Sequence, residues 1–249
     1  RRTYADRARW LGDPDFYPVP VAGLVAKDYA AALRKGIAED KAVQVEPGRP
    51  KGAKESNDTT HFSVVDKDGN AVACTTTINS TFGCGLVVDG AGFLLNNEMD
   101  DFSAKPGVPN QFGLVGYEAN AIAAHKRMLS SMTPTILTKD DKLVLVLGSP
   151  GGGRIINTVL QVVLNVVDHR LPLADAVRAP RVHHQWKPNH IFWERPGLAA
   201  DVRQNLLGMG HRLAPRPRGI GRCQAIGVLR DGTRVGVADP RSAGTALAY

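Results

Sequence analysis

Hydrophobic positions along the chain change their spacing several times, and each spacing predicts a different element. Apolar side chains at Leu24, Tyr29, Leu33 and Ile37 follow a helical period. Elsewhere, short β-branched or apolar runs are bounded by Gly, Pro, Asn or Asp and predict strands. The predicted strands are Thr60–Asp66, Ala71–Asn79, Gly92–Leu95, Thr133–Thr138, Leu143–Leu147, Ile191–Glu194, Gln224–Leu229 and Arg234–Ala238.

The second half of the chain contains the most hydrophobic predicted helix. Residues Ile155–Val167 are apolar nearly all round, so we expect this helix to be buried. Shorter helices are predicted at Asp175–Arg178 and Asp201–Met209. The turn Lys139–Asp141 separates two strand runs and predicts a hairpin. Runs of strands with helices between them indicate an α+β fold, in which helices pack on stacked, largely antiparallel sheets.

A polar stretch rich in Pro and Gly, Glu46–Asp58, precedes the strand that starts near Thr59. If the chain is cut before Thr59, that residue carries a hydroxyl nucleophile and an α-amine with a pKa near ~8. The amine can accept the hydroxyl proton at neutral pH, as in enzymes with an N-terminal threonine nucleophile. The alternative is that Thr59 only begins a strand, which threonine favours. On this segment alone, the second interpretation is better supported.

A glycine-rich turn, Gly148–Gly153, joins the apolar run Leu143–Leu147 to the start of the buried helix. Such a turn presents free backbone N–H groups at the positive end of a helix. The N–H groups can form an oxyanion hole or a phosphate-binding loop, and the glycines can also simply permit a tight turn. A P-loop requires Lys and Ser/Thr where this chain has Arg154 and Ile155. The first and third interpretations therefore remain open.

Two other polar segments are candidate binding sites. Asn96–Phe102 places carboxylates and amides directly after an apolar strand, where they can bind an ammonium group or be solvated. Ser130 and Ser131 offer paired hydroxyl donors of the kind that hold a carboxylate. The alternative for the serines is an ordinary turn at the entry to a strand. A GxSxG elbow is absent from the sequence, which disfavours a hydrolase of that type.

Composition excludes several classes of function. The chain has 249 residues, 43% of them hydrophobic, and a net charge of +7, as in an ordinary globular protein. Its densest basic segment, Arg212–Arg222, has no interleaved aromatic residues and is interpreted as a solvated loop rather than a nucleic-acid site. Positive charge also fits an anionic small substrate.

Cysteine and histidine spacings predict neither a disulfide framework nor a metal site. Apolar runs stay short of the ~20 residues that cross a bilayer. The first residues do not resemble a natural start, so we interpret the chain as a fragment and leave its location open.

Taken together, several segments resemble one family, γ-glutamyltransferase, also called γ-glutamyl transpeptidase. They occur in the family's order over nearly the whole chain. The segments are Thr59–Asp66, Leu94–Ser103, Leu129–Thr135, Gly148–Gly152 and Asp239–Ser242. The resemblance implies an N-terminal-nucleophile hydrolase fold, a four-layer αββα sandwich of two largely antiparallel sheets. It also implies self-cleavage at Asp58–Thr59, with residues 1–58 as the tail of a large subunit and 59–249 as the small catalytic subunit.

The resemblance assigns roles to individual residues. Thr59 is implied to be the nucleophile and Thr77 the second threonine that bonds to it, while Gly151 and Gly152 are implied to form the oxyanion hole. The implied ligands of the substrate's α-amino group are Asn79, Glu98 and Asp101. Its α-carboxylate is implied to bind Ser130 and Ser131.

The chain departs from the family pattern in two ways. The family's carboxylate-binding arginine lies far upstream, in a region absent from this sequence. Phe112 occupies the lid position where family members with a lid commonly have Tyr, so a hydrogen bond toward Asn79 is lost. The phenyl ring still excludes water, so the lid can keep its role as an aromatic gate.

The activity implied by the resemblance is γ-glutamyl transfer and hydrolysis on glutathione and other γ-glutamyl amides. The implied partners are these small molecules, amino-acid or peptide acceptors, and the large subunit of the same precursor. No cofactor or metal is implied, and the implied location is periplasmic or secreted. One alternative is a glutaryl or cephalosporin acylase of the same family, against which Asp101 argues. The other is a non-catalytic or nucleotide-binding protein that uses the Gly148–Gly153 turn.

Overall fold

A computed structural model describes residues 1–48 and 61–248. Thr59, and with it the predicted cleavage bond and the boundary between residues 1–58 and 59–249, lies outside the described residues. The helices in the described ranges are α1 (Arg2–Trp10), α2 (Val21–Leu24), α3 (Lys27–Lys35), α4 (Ile155–Val167), α5 (Leu173–Arg178) and α6 (Ala200–Gly208). The strands are β1 (His61–Val65), β2 (Ala71–Thr75), β3 (Thr135–Lys139), β4 (Lys142–Gly148), β5 (Val182–His183), β6 (Phe192–Trp193), β7 (Gln224–Val228) and β8 (Arg234–Ala238).

The larger sheet has the order β3-β4-β7-β8, and every neighbouring pair in it is antiparallel. The predicted hairpin between β3 and β4 is confirmed. Its two turn residues, Asp140 and Asp141, have φ values of 50° and 57°, the paired positive angles of a tight hairpin turn. β4 lies inside the sheet, and its residues Leu145–Leu147 are buried.

A second sheet, the hairpin β1-β2, packs on one face of the larger sheet, against β4 and β7. The side chains of β1 alternate, and His61 faces the interior while Phe62 and Val64 are exposed. Val72 of β2 is exposed as well. Two antiparallel sheets are therefore stacked as predicted, and the outer face of the smaller sheet carries exposed apolar side chains.

Helices α4 and α5 cover the other face of the larger sheet. The core between them contains Leu145, Leu147, Ile155, Val159, Val162, Ala176, Val177, Cys223 and Ala225. The predicted bounds of α4 are confirmed, but its predicted burial holds for one face only. Leu160 and Val167 are each 49% exposed, because only one face of the helix meets the sheet.

Residues 1–48 fold against the rest of the chain rather than apart from it. Helix α1, which the hydrophobic pattern did not predict, packs Tyr4 and Ala8 on Leu114 and Trp186. A buried carboxylate, Asp13, accepts hydrogen bonds from the backbone and guanidinium of Arg127. This pairing holds the pKa of Asp13 well below its usual range. The charged pair and the apolar contact fix α1 next to the segments predicted to form the site.

Two of the predicted strands differ from the structure. The strand predicted at Ala71–Asn79 stops at Thr75, and Asn79, with a φ of 74°, lies outside the β region. Gly92–Leu95 is not a regular strand: a bridge joins Leu94 to Val87, and backbone hydrogen bonds link Phe93 and Leu95 to residues 84–88. In the described ranges, no helix is long and apolar enough to cross a membrane. The predicted α+β class is confirmed.

Candidate active site

A cavity of about 1020 Å³ opens beside the end of β4. Five of the residues predicted to form the site line it. They are Thr77, Asn79, Phe112, Gly151 and Gly152. The other described site residues, Glu98, Asp101, Ser130 and Ser131, are not part of this lining.

The glycine turn after β4 has backbone angles that side chains rarely adopt. Gly151 has a φ of 140° and Gly152 a φ of 56°. A Cβ added to Gly152 would lie 3.0 Å from Cδ1 of Phe112, so the Phe112 ring packs directly on the turn. Neither amide of the two glycines donates a hydrogen bond to another described residue. The turn therefore presents two unused N–H donors at the cavity, as an oxyanion hole requires.

Thr77 and Asn79 form a tight local structure at the cavity wall. The amide of Asn79 donates a 2.7 Å hydrogen bond to Oγ1 of Thr77, and Asn79 tolerates its positive φ because asparagine is among the residues that do so. The side chain of Asn97 holds Ser80, while the Asn97 amide donates to the carbonyl of Ile78. These hydrogen bonds hold Thr77 and Asn79 in place, although neither residue lies in a helix or strand.

Glu98 and Asp101 lie in a short 3-10 helix, Glu98–Asp101, that follows Asn97. Glu98 is buried, and its amide donates to Oδ1 of Asn96. Nδ2 of Asn120 donates to the carbonyl of Asp101, while Oδ1 of Asn120 accepts from the amide of Leu129. Asn120 thereby brings the acidic segment next to the segment that carries the two serines.

Ser130 and Ser131 meet a residue that the sequence did not single out, Arg7 of α1. Nη2 of Arg7 donates to Oγ of Ser131 at 2.9 Å and to the carbonyl of Ser130 at 3.2 Å. Arg7 is 8% exposed, and burial lowers the pKa of its guanidinium, an effect that Asp101 opposes through its charge. The local sequence around Arg7 carries no signal for this contact, which joins residues 124 positions apart.

A family model, described as gamma-glutamyltranspeptidase, matches residues 1–249. The chain belongs to this family. Glutathione hydrolase proenzyme of Escherichia coli (strain K12) is 52% identical over 242 residues, which cover 96% of this chain and 41% of that relative. The chain thus spans about two fifths of the length of the curated relatives it matches.

Solved structures agree with this assignment. The gamma-glutamyltranspeptidase from Pseudomonas nitroreducens complexed with L-DON is 52% identical with a TM-score of 0.73, over 77% of this chain and 100% of that chain. The cephalosporin acylase from Bacillus halodurans is 28% identical with a TM-score of 0.84, over 99% of this chain and 42% of that chain. The chain has the N-terminal-nucleophile hydrolase fold of these families.

In this member of the γ-glutamyltranspeptidase family, the strand that follows Thr59 is held by a buried histidine. Nδ1 of His61 lies 2.8 Å from Oγ1 of Thr75, and its Nε2 lies 2.9 Å from Oγ of Ser63. A Cβ on Gly148 would fall 2.2 Å from Nδ1, so this position of β4 has room only for glycine. Burial lowers the pKa of His61 to about 4, and the ring is neutral at pH 7.

Phe112, the predicted lid residue, is anchored through its backbone. Nε2 of Gln185 donates to the carbonyl of Phe112 at 2.9 Å, and Oε1 of Gln185 pairs with Nε2 of His183 at 2.8 Å. Nδ1 of His183 in turn pairs with Asn157 of α4 at 2.7 Å. His183 is thus a structural link, and no group of metal-ligating side chains occurs among the described residues.

Proposed function

We propose that the protein to which this chain belongs transfers γ-glutamyl groups from glutathione and related amides to water or to amines, with Thr59 as the nucleophile. The observation that carries the proposal is the pair of unused amides at Gly151 and Gly152, two residues that line the same cavity as Thr77 and Asn79. Donors that are fixed before the substrate arrives stabilise a developing oxyanion with little reorganisation.

The proposed reaction has two steps. The hydroxyl of Thr59 attacks the γ-amide carbonyl, its proton passes to the α-amine of the same residue, and that amine protonates the departing nitrogen. Gly151 and Gly152 bind the oxyanion of the tetrahedral intermediate. Water or a second amine then attacks the resulting ester and releases the γ-glutamyl product. The chemistry uses protein groups alone, and Thr77 is assigned to orient the nucleophile.

Recognition of the γ-glutamyl group is assigned to residues beside the cavity. Asn79, Glu98 and Asp101 are proposed to surround its ammonium group, which needs a negative partner when it leaves water. Ser130 and Ser131 are proposed to bind its carboxylate. The hydrogen bonds through Asn97 and Asn120 described above support this assignment, because they bring the two sets of residues together.

The proposed active form arises by cleavage between Asp58 and Thr59 of a longer precursor. Curated relatives are named proenzymes. The solved Pseudomonas nitroreducens chain matches 77% of this chain over its full length, and residues 59–249 make up about that share. The exposed apolar face of β1-β2 is a further support, since the rest of a large subunit can cover it. The proposed location is the periplasm or the extracellular space, which fractionation of expressing cells tests.

A glutaryl or cephalosporin acylase is the second candidate, favoured by the overlap with the Bacillus halodurans acylase. A glutaryl group has no ammonium, so it gains nothing from the carboxylates of Glu98 and Asp101. The nucleotide-binding interpretation of the Gly148–Gly153 turn has no support in the family match.

A direct test compares γ-glutamyl and glutaryl anilides as substrates of the full-length gene product. We expect faster amine release from the γ-glutamyl compound and none from either compound with Thr59→Ala. Preference for the glutaryl compound would replace the proposal with the acylase function. Release of amine by Thr59→Ala would remove Thr59 from the mechanism.

A further inference from the structure

The described part of the cavity lining is strongly basic. It contains no Asp or Glu side chain but four arginines, Arg154, Arg218, Arg222 and Arg241. A cavity wall with charges of one sign concentrates the field inside it and attracts ligands of the opposite sign. The neutral and hydroxyl-bearing residues of the lining, Thr77 and Asn79 among them, do not offset this charge.

One of the four arginines is already neutralised. Arg241 pairs with Glu194 at 2.6 Å and with Asp239 at 3.0 Å. The other three form no ion pair with any described residue. The guanidinium of Arg218 lies over the ring of Phe192, 4.8 Å from its centroid, and both Arg218 and Arg222 are exposed. Three positive charges at the cavity therefore lack a counter-charge in the described part of the chain.

The uncompensated arginines lie next to the glycine turn. Arg154 directly follows the turn. A Cβ on Gly151 would contact Cα of Gly221 at 3.4 Å, so the segment that carries Arg218 and Arg222 packs against the turn. The amide of Arg222 also donates to the buried hydroxyl of Ser149 at 2.8 Å. The basic segment is thus attached to the proposed oxyanion hole.

The positive charge of the arginines lowers the pKa values of neighbouring titratable groups. Burial lowers the pKa of Arg154, and the charge of Arg218 lowers it further. The pKa of His183 falls to about 4, mainly through burial, and Arg154 and Arg218 add to the shift. Arg154 and Arg218 are therefore close enough for both charges to act on the same part of the cavity.

We propose that this basic wall, formed by Arg154, Arg218 and Arg222, binds a carboxylate on the leaving group of the donor and on the incoming acceptor. The inference rests on the proposed γ-glutamyl transfer. In that proposal the donor's own carboxylate goes to Ser130 and Ser131, which do not line the cavity. The arginines then bind a second carboxylate, which belongs to the leaving amine of the donor or to the acceptor amine. By microscopic reversibility, leaving group and acceptor occupy the same place.

The substrate class that follows is γ-glutamyl amides of amino acids and peptides with a free carboxylate, in preference to γ-glutamyl amides of neutral amines. Glutathione fits, because its leaving dipeptide ends in a carboxylate. Dipeptide acceptors with a free C-terminus fit for the same reason. Dipeptide amides of the same size lack the charge and are disfavoured.

The test uses the double variant Arg218→Gln/Arg222→Gln of the full-length gene product and two donors. One donor is a γ-glutamyl anilide, and the other is the same anilide with a carboxylate on its ring. Exposed ion pairs contribute about 0.2–1 kcal/mol each, so the loss of two of them should lower the ratio of kcat/KM for the carboxylated donor to that for the neutral donor about two- to thirtyfold. High salt should reduce the same ratio for the unmodified enzyme.

Arg216→Gln is the matched control, because Arg216 is exposed in the same segment but does not line the cavity. It should leave the ratio unchanged. As a second readout, transfer to glycylglycine should weaken in the double variant relative to transfer to glycylglycinamide.

Three results would contradict the inference. Equal losses on both donors would assign the arginines to the γ-glutamyl carboxylate instead, and an unchanged ratio would remove them from recognition. A fall in the ratio with Arg216→Gln as large as in the double variant would reduce the effect to overall charge. Absence of γ-glutamyl transfer by the unmodified enzyme is a different outcome, since it overturns the proposed function itself.

Discussion

Nη2 of Arg7 lies 2.9 Å from Oγ of Ser131, although 124 residues separate them in the sequence. The same guanidinium donates a hydrogen bond to the carbonyl of Ser130. The side chains of Arg7 and Ser131 are both buried. A buried guanidinium needs partners of this kind, because desolvation of an unpaired charge is expensive. The first helix is therefore part of the proposed carboxylate site.

Replacing Arg7 should weaken donor binding more than chemistry. In Arg7→Met, Oγ of Ser131 loses its donor, and an unsatisfied buried group costs about 1–3 kcal/mol. We expect KM for a γ-glutamyl anilide to rise about 10- to 100-fold with a smaller change in kcat. Arg7→Lys should recover part of the loss. If thermal unfolding shifts while KM stays at its original value, Arg7 serves only the packing of α1.

The glycine turn should tolerate no side chain at Gly152. An alanine there meets Cδ1 of Phe112 at 3.0 Å and occupies a φ of 56°, so the turn and its N–H must shift. Loss of one oxyanion donor lowers kcat about 10²- to 10³-fold. KM should change much less, since the contact forms mainly in the transition state.

Gly69→Ala is the control for Gly152→Ala, since Gly69 has a φ of 89° and no atom within 4 Å of an added Cβ. It imposes a similar backbone strain away from the cavity and should leave kcat near its original value. A large rise in KM with kcat intact in Gly152→Ala would show that the turn binds substrate or only shapes the chain.

Asp101 should set the preference for γ-glutamyl over glutaryl groups. Asp101→Asn keeps the shape but removes the charge, and breaking a buried ion pair costs about 3–5 kcal/mol. We expect kcat/KM for a γ-glutamyl anilide to fall by orders of magnitude, while the matched glutaryl anilide changes little. Small and equal changes on both substrates would take Asp101 out of the site.

His61 should make the protein less stable in mild acid. Its pKa is about 4 in the folded chain against 6.5 for an unperturbed histidine, so the unfolded chain binds the extra proton first as pH falls. The contribution of His61 to the free energy of unfolding is fully present above pH 6.5. It decreases by up to about 1.4 kcal/mol per pH unit as the pH falls to 4. Chemical denaturation from pH 7.5 to 4 measures this slope.

His61→Gln should flatten that slope, while His169→Gln, an exposed position, should leave it as it is. His183 and His184, whose pKa values are also lowered by burial, keep their contributions in both variants. An unchanged slope in His61→Gln would assign the acid sensitivity to the other histidines whose pKa is lowered, His183, His184 and His211.

Local sequence patterns predicted the elements that depend on interactions between residues close in the chain. The bounds of α4 and the hairpin at Asp140 and Asp141 follow from hydrophobic runs and turn residues. The pattern at Gly92–Leu95 also suggested a strand, and this segment does pair with residues 84–88, but Gly90 and Gly92 adopt positive φ and the pairing stays too short to form a regular strand. Sequence periodicity does not report how far such a pairing extends.

The candidate site was predicted in a similar way. Family motifs identified Thr77, Asn79, Gly151 and Gly152, and the fold brings these four to one cavity. Arg7 was not identified, because a contact across 124 residues leaves no mark in local spacing. The charge of the cavity wall also depends on which arginines are already paired. Only the fold reveals that Arg241 is paired and that Arg218 forms no ion pair with any described residue.

The central claim is that a γ-glutamyl group is carried on the hydroxyl of Thr59. The most direct measurement is acid quenching of the full-length gene product during turnover of a γ-glutamyl anilide, followed by peptide mass spectrometry. We predict a mature chain that begins at Thr59, with the mass of its first peptide increased by one γ-glutamyl residue. An unmodified first peptide, a mature chain that begins elsewhere, or the added mass on any other side chain would contradict the account.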